Sequence, residues 1–158
     1  RGDIAVMNNG GIRTELRGGT VTWGDVYEVT PFANRLVAVL VRGDALRRYL
    51  EAPVGGTSIR YHVSGVRIEF DPDAPRGSRL RRATLGDGSR IDDRRRYRVI
   101  MSDFMAAGGD GAVLGADAVI EELNILDLDA LVDHLRAQTG GRLAPTAALS
   151  APRIIPIK

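Results

Sequence analysis

Cysteine is absent from this chain of 158 residues, which excludes disulfide staples and thiolate metal sites and leaves the redox compartment open. Histidine is scarce as well. Two of them are too few for a histidine-rich metal centre. No apolar run approaches the roughly 18 residues that would cross a bilayer. Charge of one sign is also lacking: 22 Lys and Arg face 20 Asp and Glu, a formal net charge of +2. The isoelectric point near 9.4 therefore reflects arginine chemistry near balance rather than a cationic surface, and neither nucleic acid nor a membrane is expected as a partner. Aromatic residues make up only 5% of the chain, with three Phe and one Trp, so the position of each ring is informative.

What is present describes a globular domain. A hydrophobic fraction of 44% with 27% charged residues suits a soluble chain with a real core, and residues 1–158 fit one domain of ordinary size. The sequence opens at Arg1 on a strand-like run, with neither initiator methionine nor signal peptide, and reads as a domain excised from something longer.

In chain order, Asp3 to Met7 reads as a buried strand that breaks at Asn8, Asn9, Gly10 and Gly11 ahead of Arg13. That turn is either a hairpin with a surface arginine or a polar loop whose guanidinium meets an anion. Thr22 with Asp25 three residues on resembles a capping box, so a short helix is expected over Trp23 to Thr30, with Trp23 in the core. Pro31 to Asn34 ends it and places Phe32 in a loop before a strand over Arg35 to Val41. A helix follows from Asp44 to Glu51, then strands over Ile59 to Val63 and Val66 to Asp71, with Ser64 and Gly65 as a hairpin turn and Phe70 in the core. The arginine-dense stretch from Arg76 to Arg98 reads as the solvated face of an antiparallel pair, since Asp87, Asp92 and Asp93 lie among the arginines and no aromatic interleaves them. Val119 to Leu123 reads as a strand and Leu126 to Gln138 as a helix, with Asp127 as N-cap, His134 on its polar side and Gly140 past its end. A last strand is expected over Arg153 to Ile157. The fold class is α/β (α+β): mixed sheets of short strands with packed helices.

The stretch Val99 to Gly111, VIMSDFMAAGGDG, brings an aromatic, glycines and a carboxylate into one short loop. Phe104 either plugs the core beneath that loop, with Asp110 capping the next segment, or faces a ligand. Taken together, Asn8, Arg13, Phe32, Asn34, Ser64, Gly65, Phe104, Gly109 and Asp110 all fall at strand ends, and their chemistry suits a nucleoside. Two rings can sandwich a base, a carboxylate can accept from vicinal hydroxyls, and an arginine can meet phosphate.

Three runs carry a family resemblance: NNGGIR from Asn8 to Arg13, PFAN from Pro31 to Asn34, and SDFMAAGGDG from Ser102 to Gly111. Along nearly its whole length the chain resembles the C-terminal, substrate-binding domain of the 5'-nucleotidase family, which includes UDP-sugar hydrolases and cyclic-nucleotide phosphodiesterase relatives. The resemblance implies that Phe32 and Phe104 clamp a base, that Asp110 holds ribose hydroxyls, and that Asn8 and Arg13 contact the nucleotide. It further implies that Asn34, Gly65 and Gly109 line the same pocket. In the family, two divalent metals and the catalytic residues belong to an N-terminal metallophosphoesterase domain, which this chain lacks. No catalytic or metal-binding residue and no cofactor is therefore expected here, and the fragment alone is expected to be inactive. By the same resemblance, the partners are a nucleotide or nucleoside and that N-terminal domain, and the location is extracellular, periplasmic or at the cell surface. A stand-alone nucleoside-binding module and a non-catalytic interaction domain remain as alternatives.

Overall fold

The computed structural model describes residues 2–56, 60–144 and 151–157. Among them the chain forms β1 (Ile4–Asn8), α1 (Trp23–Val29), β2 (Arg35–Arg42), α2 (Gly43–Glu51), β3 (Tyr61–Ser64) and β4 (Val66–Phe70). It continues through β5 (Leu80–Leu85), β6 (Arg96–Ser102), α3 (Asp103–Ala106), β7 (Val119–Leu126), α4 (Asp127–Arg136) and β8 (Ile154–Pro156). The expected α/β (α+β) class holds, with two mixed sheets among the described residues.

The larger sheet has the order β3-β1-β6-β2-β7, and the smaller has β5-β4-β8. In the larger sheet β1 runs parallel to β6, and the remaining pairs are antiparallel. The run RLVAVLVR explains the place of β2 inside the sheet: Val37, Val39 and Val41 turn one face inward, and Ala38 lets the other face close. α2 lays Ala45, Leu46, Tyr49 and Leu50 into the space between the sheets, where they meet Tyr61, Ile68, Tyr97 and Val99 in one continuous core. Phe70 packs against the rim of this core.

Several local expectations are corrected by tertiary structure. The capping box at Thr22 and Asp25 is present, and the Thr22 hydroxyl and amide hold the Asp25 carboxyl below its usual range. Trp23, however, is 58% exposed and stacks on Tyr27, because the helix turns Val26 inward instead. Ser64 and Gly65 do not make a hairpin, since β3 joins the larger sheet and β4 the smaller. Likewise β5 and β6 lie in different sheets, so the arginine-rich stretch is not one antiparallel pair. Several of its arginines meet carboxylates instead, as in Arg81–Asp71, Arg95–Asp3 and Arg98–Glu121, and the half-buried Arg79 donates to the carbonyls of Ala74, Val54 and Gly56. β7 runs on to Leu126, leaving Asp127 as the first residue of α4 rather than its cap. The start of the strand expected from Ile59 lies outside the described residues.

Gly65 marks where the chain crosses between sheets. Its φ is +78°, and a Cβ there would lie 2.2 Å from the carbonyl oxygen of Asp3. Gly65→Ala is therefore expected to lower the unfolding free energy by about 1–3 kcal/mol in urea denaturation. Unchanged stability would contradict so close an approach.

Candidate functional site

Strand direction assembles one end of the larger sheet. Because β1 and β6 are parallel, with Ile4 beside Val99, the turns leaving their carboxyl ends emerge together. β2 is antiparallel to β6, with Leu36 opposite Ser102, which brings the Phe32 turn to the same end. β3 is antiparallel to β1, with Tyr61 opposite Asn8, and completes the group. Residues from four distant parts of the chain thus share one edge.

At the centre, the Asn8 side-chain amide donates to Oδ2 of Asp110 at 2.6 Å, across 102 residues of sequence. Asn8 is only 5% exposed, whereas the Asp110 carboxylate faces solvent. The glycines after Asn8 explain how it is gripped. A Cβ on Gly11 would lie 2.8 Å from Oδ1 of Asn8, and one on Gly10 would lie 3.4 Å from its Nδ2. Asp110 itself has φ +54°, between Gly108 at +95° and Gly111 at +73°. This left-handed turn is secured from the other side by the Tyr61 hydroxyl, which donates to the Asp110 carbonyl at 3.0 Å.

The two loop phenylalanines stand at the same edge. Ser102 caps α3 by accepting from the Met105 amide at 3.2 Å. Met105 is fully buried, so it fills the core beneath the loop, and Phe104, one position earlier on the helix, points outward at 47% exposure. Gly109 passes against that ring so closely that a Cβ would lie 2.4 Å from Cε1. Phe32 is 51% exposed, and the Arg13 guanidinium sits 5.8 Å above its centroid. Arg13 is tied by its amide to the Val29 carbonyl at 2.9 Å and by Nη1 to the Gly10 carbonyl at 3.3 Å. It forms no ion pair among the described residues, which leaves its charge available to an anion.

Two expected members are placed differently. The Asn34 side-chain amide turns to Asp127, donating to Oδ2 at 3.1 Å. Gly65 is not brought to this edge: Ser64 pairs with Ala5, so Gly65 lies beside Asp3 at the opposite end of β1, about 15 Å along the strand at its rise per residue. Two residues are at the edge without having been expected there. Tyr61 supports Asp110 as described. The carbonyl of its neighbour Arg60 accepts from the Asn9 amide at 2.9 Å, while Nη1 of Arg60 lies 4.0 Å from the Cβ position of Gly111. A sequence signal for Tyr61 exists only in its inward register on a strand. No group of three or more His, Cys, Asp or Glu side chains that could hold a metal ion occurs among the described residues. The arrangement can stack, accept hydrogen bonds and meet an anion.

Residues 1–116 match the model of the family described as 5'-nucleotidase, C-terminal domain. Endonuclease YhcR of Bacillus subtilis (strain 168) is 32% identical over 143 residues, which cover 85% of this chain and 11% of that protein. The probable 5'-nucleotidase of Treponema pallidum (strain Nichols) is 30% identical over 156 residues, covering 89% of this chain and 26% of the relative. Among solved structures, that of a 5'-nucleotidase precursor from Thermus thermophilus superposes with a TM-score of 0.87 at 32% identity, covering 99% of this chain and 32% of the other. The chain thus spans no more than about a third of the length of any of these three.

The Tyr61 phenol is held above its ordinary pKa, first by burial and then by the nearby Asp110 carboxylate, with Arg60 opposing. Its contribution to stability is complete below about pH 10, where the unfolded phenol titrates, and is lost as pH rises from there through the higher folded value. Tyr61→Phe is expected to flatten this alkaline fall in unfolding free energy and to cost about 0.5–1.5 kcal/mol at neutral pH through the lost bond to Asp110. The same neutral stability and the same alkaline slope in both proteins would count against that bond.

Proposed function

Because the chain belongs to the 5'-nucleotidase C-terminal domain family, we propose that it binds and positions the nucleotide for a phosphohydrolase whose hydrolytic centre, with two divalent metals, lies on a separate N-terminal metallophosphoesterase domain. The observation that carries this reading is the grouping at one sheet edge of two half-exposed phenylalanines, the Asn8–Asp110 couple and an arginine without an acidic partner among the described residues. Phe32 and Phe104 take the two faces of a base. Asp110, its orientation set by Asn8 and Tyr61, accepts from the ribose hydroxyls; a carboxylate offers about four lone-pair sites, so the bond from Asn8 leaves acceptor capacity. Arg13 meets phosphate, and Gly109 lets the chain pass against the Phe104 ring. In this reading Asn34 anchors the Phe32 turn, and Gly65 has no part in binding. The intact protein acts outside the cytoplasm or at the cell surface, and hydrolysis is not assigned to this chain.

Stacking contributes about 1–3 kcal/mol per base, and the remaining contacts are solvent-exposed, so affinity is expected on the order of millimolar to tens of micromolar. Calorimetric titration of the chain with adenosine and AMP is the test. Phe32→Ala and Phe104→Ala should each weaken binding by roughly 1–3 kcal/mol with the fold intact by circular dichroism. Full-strength binding in either variant would remove the clamp, and metal-dependent AMP hydrolysis by the purified chain would show that the chemistry is not confined to another domain.

A further inference from the structure

The Phe32 turn is held by a carboxylate that lies far from it in sequence. Asp127 opens α4 and is 8% exposed. Its Oδ2 accepts from the Thr30 hydroxyl at 3.2 Å and from the Asn34 side-chain amide at 3.1 Å. Its own amide donates to the Asn34 carbonyl at 2.9 Å, and its Oδ1 accepts from the Leu128 amide at 2.7 Å. One side chain therefore grips both ends of the short turn that carries Phe32.

Burial of a carboxylate is costly unless donors replace its water. Here they come from the first turn of α4, whose dipole favours a negative charge, and from the two residues that flank the exposed ring. A neutral amide would present N–H groups toward one of those donors and lose at least one bond. The turn needs the restraint: Ala33 has φ +51°, a left-handed conformation disfavoured for alanine that persists only where its surroundings impose it. Pro31 has no N–H with which to secure the turn from within.

We propose that Asp127 is a positioning residue for Phe32, holding the ring at the edge of the sheet where it can take one face of a base. This rests on the base-clamp reading above and extends it to a residue that does not touch the ligand. Asp127 fixes the Thr30–Asn34 turn to α4, so the aromatic face is presented before ligand arrives, which lowers the ordering cost of binding.

The test uses the whole 158-residue chain with Asp127→Asn, Phe32→Ala and the double variant, read by adenosine titration and by amide hydrogen exchange. Asp127→Asn is expected to weaken adenosine binding roughly fivefold to tenfold. The double variant should bind no more weakly than Phe32→Ala alone, because both act through the same ring. Exchange at the Thr30 amide, which is buried and donates to the Val26 carbonyl at 3.3 Å, should rise in Asp127→Asn while that of Val39 and Leu46 in the core does not. Wild-type affinity in Asp127→Asn, losses that add in full in the double variant, or unchanged exchange at Thr30 would each overturn the proposal. Absence of adenosine binding by the wild-type chain would instead strike the base-clamp reading, and the exchange result would still decide whether Asp127 holds the turn. Should Asp127→Asn fail to fold, Thr30→Val removes one of the two flanking bonds and is judged by the same outcomes.

Discussion

Parallel pairing of β1 with β6 is the constraint on which the rest of the site depends. Two strands so far apart in sequence could pair in either direction, but only the parallel arrangement sends the turn after Asn8 and the turn after Ser102 to the same side. Antiparallel pairing would leave Asn8 and Asp110 at opposite ends of a strand, beyond any hydrogen bond. The open crevice at the carboxyl ends of parallel strands is where α/β sheets generally bind ligands, because loops leaving those ends can approach one another without steric conflict. Here the crevice is closed on one side by β3, whose Tyr61 reaches the Asp110 carbonyl, and on the other by the turn that precedes β2.

Two of the three non-glycine residues with positive φ among the described residues, Asp110 and Ala33, lie in the turns of this crevice, and the third, Asn124, lies in β7. Gly108, Asp110, Gly111 and Ala33 all have positive φ, and all belong to the two turns that carry Asp110 and Phe32. Left-handed conformations at non-glycine residues are unfavourable by themselves, so their stability must come from the frame. For Asp110 the frame is Asn8 on one side and Tyr61 on the other, and Tyr61 is itself stacked on Tyr49 at 5.9 Å within the core. For Ala33 it is Asp127 on α4. Rigid elements thus hold the exposed side chains of Asp110 and Phe32 in strained turns, and the rings of Phe32 and Phe104 are left half in water. In the proposed reading, the exposure of Phe32 and Phe104 suits a planar ligand.

How much of this could be read from sequence follows from the range of the forces involved. The capping box at Thr22 and the strand β4 were legible because they depend on neighbours three residues away or two. The site's phenylalanines, Asn8 and Asp110 were legible as a group from their chemistry and the family resemblance, but the bond between Asn8 and Asp110 was not, since 102 residues separate its partners. Trp23 was misplaced because a capping box fixes where a helix starts but not which side of it faces the core. Ser64 and Gly65 carry the composition of a hairpin turn, and the same positive φ that suits a hairpin also suits a crossing between sheets. Asp127 had the local signature of a cap; its acceptance of bonds from Thr30 and Asn34 depends on how α4 docks, which no local pattern encodes.

The position of Arg13 over Phe32 couples the two halves of the proposed recognition. The guanidinium occupies one face of the ring, an exposed cation–π contact worth about 0.5–1 kcal/mol. A base taking that face replaces it with stacking worth about 1–3 kcal/mol, so displacement is favourable but its yield is reduced by what Arg13 gives up. A ligand that also carries a phosphate offers the displaced guanidinium a charge-assisted partner in return. A nucleoside offers none. Phosphate recognition and base recognition are then not additive, because the phosphate offsets a loss that the base alone incurs. In the proposed recognition, a preference for a nucleotide over its nucleoside would arise at Phe32 as much as at Arg13, and a site this open would discriminate between them without binding either one tightly.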